Sequence, residues 1–477
     1  MIAQRLSARR LVQLLGEWRG DGHSYLELSD SIALLARDGT VPVGTALPAE
    51  RPLSEALGVS RTTVSASYRR LRESGFAHSR QGSGTVIRAR GDGAGAASDA
   101  ASGDIDLTTA CPAPWRGLRE LTARAFAEHA DTFDELGFDT IGRQDLRVAI
   151  ADRYAARGLP TSPEQIMVTL GAQHANYLVA RTLLGRGDRS LIESPSYPNA
   201  REALRATGAL VAELPVASAG YDAPAILDIA RRTSPRLAYL IPDHHNPTGQ
   251  SMPEELRAEL IATLTAQGAH ILADETTAEL TLGAPALVRP FAAAAELPHQ
   301  RDAVITVGSL GKSVWGGLRV GWIRAAPELI ARLEISRRIG DLGTGAWEQV
   351  IALCALERYD EILAERAIEH AAQYRTLAEQ VAAQFPEWRL PQVAGGVSTW
   401  VDLGGHHSTR LARAGARSGV RIAPGPRFGS PGVFERFIRF PFSAPSDDLR
   451  EAVRRLRLGW ESDGGAARLE LADVAVI

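Results

Sequence analysis

Thr306-Val-Gly-Ser-Leu-Gly-Lys312-Ser-Val-Trp-Gly-Gly-Leu-Arg319-Val-Gly321 holds the one lysine among the 53 Lys and Arg side chains of this 477-residue chain. Arginine stays protonated and cannot serve as an amine nucleophile, whereas a desolvated lysine can lose its proton and form an imine with an aldehyde. A chain so committed to arginine keeps a lysine where arginine cannot do the job. Ser309 stands three residues before it and Arg319 seven after, two groups suited to an anion such as a phosphate ester. The alternative, a solitary lysine on a solvated surface, leaves those neighbours unexplained.

Two local look-alikes fail. In a nucleotide-triphosphate loop, G-x-x-x-x-G-K-[ST], the first glycine would fall on Thr306. Ser309 to Lys312 spells S-x-x-K, but its K-T-G companion is impossible without a second lysine.

Outward from this stretch, the length calls for two or three domains with ample buried core. The net charge of −3 hides an asymmetry, because residues 1–90 carry 13 arginines against 8 acidic residues. A basic module on an acidic body is the footprint of a small nucleic-acid-binding domain joined to a larger partner. Two cysteines, Cys111 and Cys354, make neither a disulfide framework nor a metal cluster, so no metal and a reducing compartment are expected. No signal peptide or apolar run of about 18 residues is evident, which places the expectation in the cytoplasm, off the membrane.

Residues 1–88 read as a winged helix-turn-helix. Leu6, Leu11, Leu14, Leu15 and Trp18 predict an opening amphipathic helix, and a second runs from about Leu26 to Arg37. Leu53, Ala56 and Leu57 form the stripe of a short helix stopped by Gly58. Ser60 caps the next, whose Val64, Tyr68 and Leu71 face inward. That second helix shows Arg61, Thr62, Thr63, Ser65 and Arg69, which can reach phosphates and base edges from a major groove. Phe76 to Arg80 and Thr85 to Ile87 predict a hairpin with a glycine-rich tip, the wing. Residues 89–104 collapse to Arg, Gly, Ala, Ser and Asp, a flexible tether expected between domains.

Residues 105–477 alternate short β-rich runs with helical patterns. Candidate strands are Ile166–Thr169, Ser190–Ile192, Leu210–Val211, Ala238–Ile241, His270–Ala273, Ala303–Val307 and Val320–Ile323. The alternation predicts an α/β fold with a mainly parallel sheet whose strand ends carry the ligand site, and a smaller lobe after about residue 350. Thr169 to His174 follows a strand and opens a helix whose free amides can hold a phosphate. Tyr197 can face a flat ring, Asn246 sits in an N-P-T-G turn, and Asp274 ends a strand where a carboxylate can pair with a pyridinium nitrogen. Asn199 and Arg201 are further candidates for selecting a ligand.

Two resemblances follow from these residues. Leu47 to Val64 is similar to the L-P-S-E-R…L-G-V-S-R-x-T-V pattern of GntR-type regulators, with Ala49 in place of the serine. It implies DNA contact by Arg51, Arg61, Thr62, Thr63 and the wing around Arg80 and Gly82. The order of motifs over residues 105–460 resembles aminotransferases of class I and II, the fold-type I pyridoxal-phosphate architecture. It implies pyridoxal 5'-phosphate held as an imine on Lys312. Its phosphate would lie on Ser309, Arg319 and the Gly171, Ala172, Gln173 turn, and its ring would stack on Tyr197. Asn246 would meet its phenolic oxygen and Asp274 its ring nitrogen, with Arg439 taking a ligand carboxylate. Thr276 and Thr277 stand where that family commonly places a tyrosine, which weighs against efficient transamination. Phe138 stands about where a partner subunit's phosphate-contacting tyrosine would be.

Taken together, the chain resembles the MocR subfamily of GntR regulators. This implies a pyridoxal-phosphate-dependent transcription regulator that binds double-stranded operator DNA and senses the cofactor or an amine or amino acid. A domain-swapped homodimer is implied as well. The alternatives are an active aminotransferase acting on an amino acid and a 2-oxo acid, or a DNA-binding protein whose body has lost the cofactor.

Overall fold

The computed structural model describes residues 5–16, 18–19, 24–37, 39–80, 84–88, 103–217, 220–430 and 432–463. Gly82 and most of the expected tether therefore lie outside the described residues.

The head forms from helices α1 (Ala8–Leu15), α2 (Ser24–Arg37), α3 (Glu50–Leu57) and α4 (Arg61–Glu73), followed by strands β1 (Ala77–Arg80) and β2 (Gly84–Ile87). Gly58 ends α3 in the left-handed region, φ +63°, and Ser60 caps α4 by accepting from the Thr63 amide at 3.1 Å. β1 and β2 pair antiparallel from Ala77↔Ile87 to Arg80↔Gly84. Leu11, Leu28, Ile32, Leu53, Val64, Tyr68 and Leu71 form the core. Each large aliphatic side chain buried there contributes about 1.5–3 kcal/mol.

The body is two-lobed. The large lobe is built on β4 (Ile166–Thr169), β5 (Arg189–Ser194), β6 (Leu210–Pro215), β7 (Leu237–Leu240), β8 (His270–Asp274), β9 (Val304–Ser309) and β10 (Gly321–Arg324). Their order is β4-β10-β9-β8-β7-β5-β6. β10 pairs antiparallel with both β9 and β4, and the other pairings are parallel. Every residue of β4, β7, β9 and β10 is buried, as expected for strands covered by helices on both faces.

In the small lobe, β11 (Ser398–Asp402), β12 (Val420–Pro424) and β13 (Phe437–Pro441) are joined by β3 (Ile105–Leu107), in the order β11-β13-β12-β3. β3 pairs parallel with β12 through Ile105↔Val420 and Leu107↔Ile422. Leu107 thus lies in the small-lobe core with Leu411, Phe440, Leu449 and Leu456.

The head docks on the small lobe of its own chain. Arg413, on the helix Ser408–Arg417, donates through Nη1 to the Trp18 carbonyl at 2.7 Å, the Glu27 carbonyl at 3.0 Å and Ser31 Oγ at 3.0 Å. Arg417 pairs with Asp30 at 3.4 Å.

Candidate cofactor site and DNA-binding face

The loop after β9 carries Lys312. Its shape is set by Ser309, whose Oγ donates to the Val320 carbonyl at 3.0 Å and accepts from the Gly311 amide at 3.1 Å. Arg366 holds the loop from behind, donating to the Ser313 carbonyl at 2.8 Å and the Ala113 carbonyl at 2.6 Å. Tyr359 and Ser313 share a hydroxyl contact at 3.0 Å. Lys312 Nζ donates to the Ala110 carbonyl at 2.5 Å. Burial holds its ammonium below the ordinary lysine range, helped by Arg439 and Arg319 and opposed by Cys111 and Asp274.

Arg319 is in the left-handed region, φ +56°, and its guanidinium donates to the Leu170 carbonyl at 2.6 Å. It thereby lies against the start of the helix Ala172–Leu183, where Gly171, Ala172 and Gln173 are expected to cradle a phosphate. That approach needs small residues. A Cβ on Gly171, φ +89°, would lie 2.9 Å from Arg319 Nη2, and one on Gly321 would lie 2.8 Å from the Gly171 backbone. The first amides of a helix have no partner within it. His174 accepts from the Leu170 amide at 3.1 Å and contacts Asp341 at 3.0 Å, pinning this turn.

Asp274 ends β8. Its Oδ2 accepts from Tyr239 Oη at 2.8 Å and Asn176 Nδ2 at 3.1 Å, and its Oδ1 accepts from the Thr276 amide at 3.1 Å and the Thr276 hydroxyl at 2.5 Å. Tyr197 precedes the helix Pro198–Ala206 and is half-buried; Asn199 donates to its hydroxyl at 3.0 Å. Burial raises the Tyr197 phenol above its ordinary range, Asn199 pulls it down, and Asp274 adds to the rise.

Asn246 lies beyond β7, and its Oδ1 is buried without a partner. Arg439, on β13, reaches the Thr108 carbonyl with Nη2, stacks 5.1 Å from the Phe428 ring centroid, and has a buried Nε without a partner. Burial pushes it down to about 10. The cleft thus collects Lys312, Asp274, Tyr197 and Arg319 from the large lobe and Arg439 from the small one. Arg201 does not join them, being committed to Glu213. Thr277 turns to the Asp243 carbonyl at 3.4 Å.

Sequence reasoning missed Tyr239, Asn176 and the Thr108–Cys111 segment. Asn176 had a signal, a polar residue on the buried face of an otherwise apolar helix. Tyr239 had none, since a tyrosine is ordinary in a strand.

On the head, Arg51, Arg61 and Thr62 are exposed and Thr63 half-buried along α3 and the start of α4, and Arg80 is exposed at the end of β1. Arg51 pairs with Glu55 at 3.0 Å and Arg61 with Glu50 at 3.3 Å, both at the surface. Thr62 and Thr63 contact Ser60 Oγ at 2.7 and 2.8 Å. Among the described residues no helix is long and apolar enough to cross a membrane.

A fold-type I aminotransferase-like body carrying a winged helix-turn-helix is the class these features define. The chain belongs to the family "Aminotransferase class I and II", matched over residues 119–456, and residues 25–87 match "Bacterial regulatory proteins, gntR family". It is 29% identical over 487 residues to the HTH-type transcriptional regulator TauR of Rhodobacter capsulatus, covering 89% of this chain and 94% of that one. It is 31% identical over 319 residues to the probable rhizopine catabolism regulatory protein MocR of Rhizobium meliloti, covering 61% and 63%. LysN, the α-aminoadipate aminotransferase of Thermus thermophilus, solved with N-(5'-phosphopyridoxyl)-L-leucine, superposes with a TM-score of 0.69 at 26% identity. The match covers 78% of this chain and 95% of that one.

Proposed function

We propose that this chain is a DNA-binding transcription regulator whose aminotransferase-like body senses pyridoxal 5'-phosphate, or an amine or amino acid joined to it. The cofactor is pyridoxal 5'-phosphate, and the residues present fit it. Arg439 Nε is an orphaned buried donor in the cleft, and Gly171, at φ +89°, leaves Arg319 a backbone approach that a Cβ would meet at 2.9 Å. When bound, the cofactor supplies an electrophilic aldehyde and an electron-withdrawing ring. Lys312 offers the amine that holds it, kept reactive by desolvation. Arg319 and the amides of Gly171, Ala172 and Gln173 would take the phosphate, joined by Ser309 once its hydroxyl leaves the Val320 carbonyl. Asp274, fixed by three side-chain donors, would meet the ring nitrogen and hold its proton in place. Tyr197 would stack on the ring, Asn246 would meet its phenolic oxygen, and Arg439 would bind a ligand carboxylate with its planar fork.

The single observation that carries this reading is a cleft that brings Lys312, Asp274, Arg319, Arg439 and Tyr197 together in the same chain as the winged helix. Arg51, Arg61, Thr62, Thr63, Arg80 and Gly82 contact the operator. A ligand acts only through different affinities for two arrangements of head and body. The regulator works in the cytoplasm as a homodimer. Leu136 and Phe138 are 94% and 78% exposed, a surface suited to a second copy. Exchange of heads between protomers preserves the contacts made by Arg413, because swapping reuses an identical interface.

The rival reading is an aminotransferase, favoured by the likeness to LysN. Thr276 and Thr277 weigh against it, since their hydroxyls turn to Asp274 and the Asp243 carbonyl, leaving neither for the ring oxygen. The test pairs operator binding under an amino-acid titration with a multiple-turnover assay using an amino acid and a 2-oxo acid. Ligand-dependent DNA binding without turnover supports the regulator; steady turnover with DNA binding indifferent to ligand overturns it.

A further inference from the structure

Between the head and the small lobe lies a cavity of about 200 Å³, lined among others by Asp30, Arg37, Arg70, Ser74, Arg413 and Arg417. Asp30 pairs there with Arg70 and Arg417, and Arg417 also holds Asp463. Arg413 is the informative residue. It is 3% exposed, and its three acceptors from the head all fall on Nη1. Its Nε and Nη2 are buried without any acceptor. Those two atoms form one edge of the guanidinium, the edge that grips an oxyanion with two parallel hydrogen bonds. A buried donor without a partner costs about 1–3 kcal/mol, more when charged, so such an edge on a residue that lines a cavity points to a ligand.

We propose that this cavity is a second ligand site, distinct from the cleft at Lys312, which takes a compact polyvalent oxyanion of the phosphate class. A tetrahedral anion can accept from the Arg413 edge while offering further oxygens to Arg70 and Arg417. A single carboxylate satisfies the edge alone. Asp30 now holds both arginines, at 3.2 Å from Arg70 and 3.4 Å from Arg417, Asp463 also holds Arg417, and both carboxylates compete with the incoming anion. Glu27 and Asp463 also act on Arg413, yet neither fills its free edge. Because Asp30 lies on α2, Arg70 on α4 and Arg413 on the small lobe, the bound anion would tie head to body. It thereby sets how firmly the head is docked.

The probe is inorganic pyrophosphate, titrated calorimetrically into the full chain already loaded with pyridoxal 5'-phosphate, so that the phosphate cradle near Lys312 is filled. Loading is followed independently by visible absorbance, which separates a failure of the cofactor reading from a failure here. Saturable binding of one pyrophosphate per chain is expected, weakened tenfold or more by Arg70→Ala and by Arg413→Lys, and strengthened by Asp30→Asn. Arg70 is exposed, so its variant carries the test if Arg413→Lys does not fold. No saturable binding, or equal affinity in wild type and Arg70→Ala, overturns the proposal. Displacement of pyrophosphate by a short DNA duplex also overturns it, since the cavity would then belong to the nucleic-acid interface.

Discussion

Tyr239 donates its phenol hydrogen to Asp274 Oδ2 at 2.8 Å, from a side chain only 1% exposed. A buried carboxylate left without donors is costly, and here Asn176 and Thr276 share the task of satisfying it. Hydrogen bonds to charged groups contribute about 1.5–3 kcal/mol. Tyr239→Phe is therefore expected to weaken binding of pyridoxal 5'-phosphate by about tenfold or more while leaving the fold intact. Absorbance titration measures it; unchanged affinity would remove Tyr239 from the site.

Lys312→Ala is expected to abolish the borohydride-reducible adduct. In the wild type, burial disfavours the ammonium, so the free amine persists to lower pH than in an ordinary lysine. Adduct formation should accordingly survive acidification better than that of a lysine peptide with the same cofactor. Parallel absorbance-pH curves compare the two, and coincident midpoints would contradict the desolvation argument.

Arg439 and Lys312 respond to different parts of a ligand. Arg439→Gln should leave the cofactor in place but weaken the effect of an amino acid at least tenfold, as loss of a charge-assisted fork implies. Simple amines lacking a carboxylate should act on both proteins alike. Equal loss for amines and amino acids would make Arg439 structural.

His370 is fully buried, neither ring nitrogen has a hydrogen-bond partner, and burial, with Arg366 nearby, pushes it down to about 3. The folded value lies below the unfolded one near 6.5. The contribution is therefore present above pH 6.5 and is lost as pH falls toward 3, because the unfolded chain binds a proton that the folded chain refuses. At pH 5 the loss is roughly 2 kcal/mol. Urea unfolding of His370→Phe should show that much less destabilisation between about pH 7 and about pH 5; parallel losses would refute the assignment.

Arg61 is exposed and its pairing with Glu50 is a surface contact that contributes little. Arg61→Ala should leave the melting temperature nearly unchanged while weakening operator binding. If Arg61 meets a phosphate, the slope of log affinity against log salt falls by about 1. Anisotropy titrations across salt concentrations read the slope, and an unaltered slope and affinity would exclude the contact.

Much of this architecture was legible in advance. All seven strands of the large sheet lie where short apolar runs marked them; those buried on both faces, β4, β7, β9 and β10, must be continuously apolar, whereas the edge strand β6 is partly exposed. The reversed direction of β10 was also implicit. Only Leu310 to Val320 joins it to β9, too short for the helical crossover that parallel neighbours need. β3 was not legible, because three residues beside a glycine-rich stretch show no period. Nor were the partners of Asp274, because Tyr239 and Asn176 are distant in sequence and meet it only when β7, β8 and the helix Ala172–Leu183 are packed.

The placement of β3 has a mechanical consequence. The chain leaving the head is hydrogen-bonded into the small lobe at Ile105, and the same lobe carries Arg413, on which the head rests. With the head on its own chain's lobe, leash and berth are therefore mounted on one piece. Swivelling that piece against Lys312 would transport the DNA reader whole, as a turret carries its gun, without lengthening the leash.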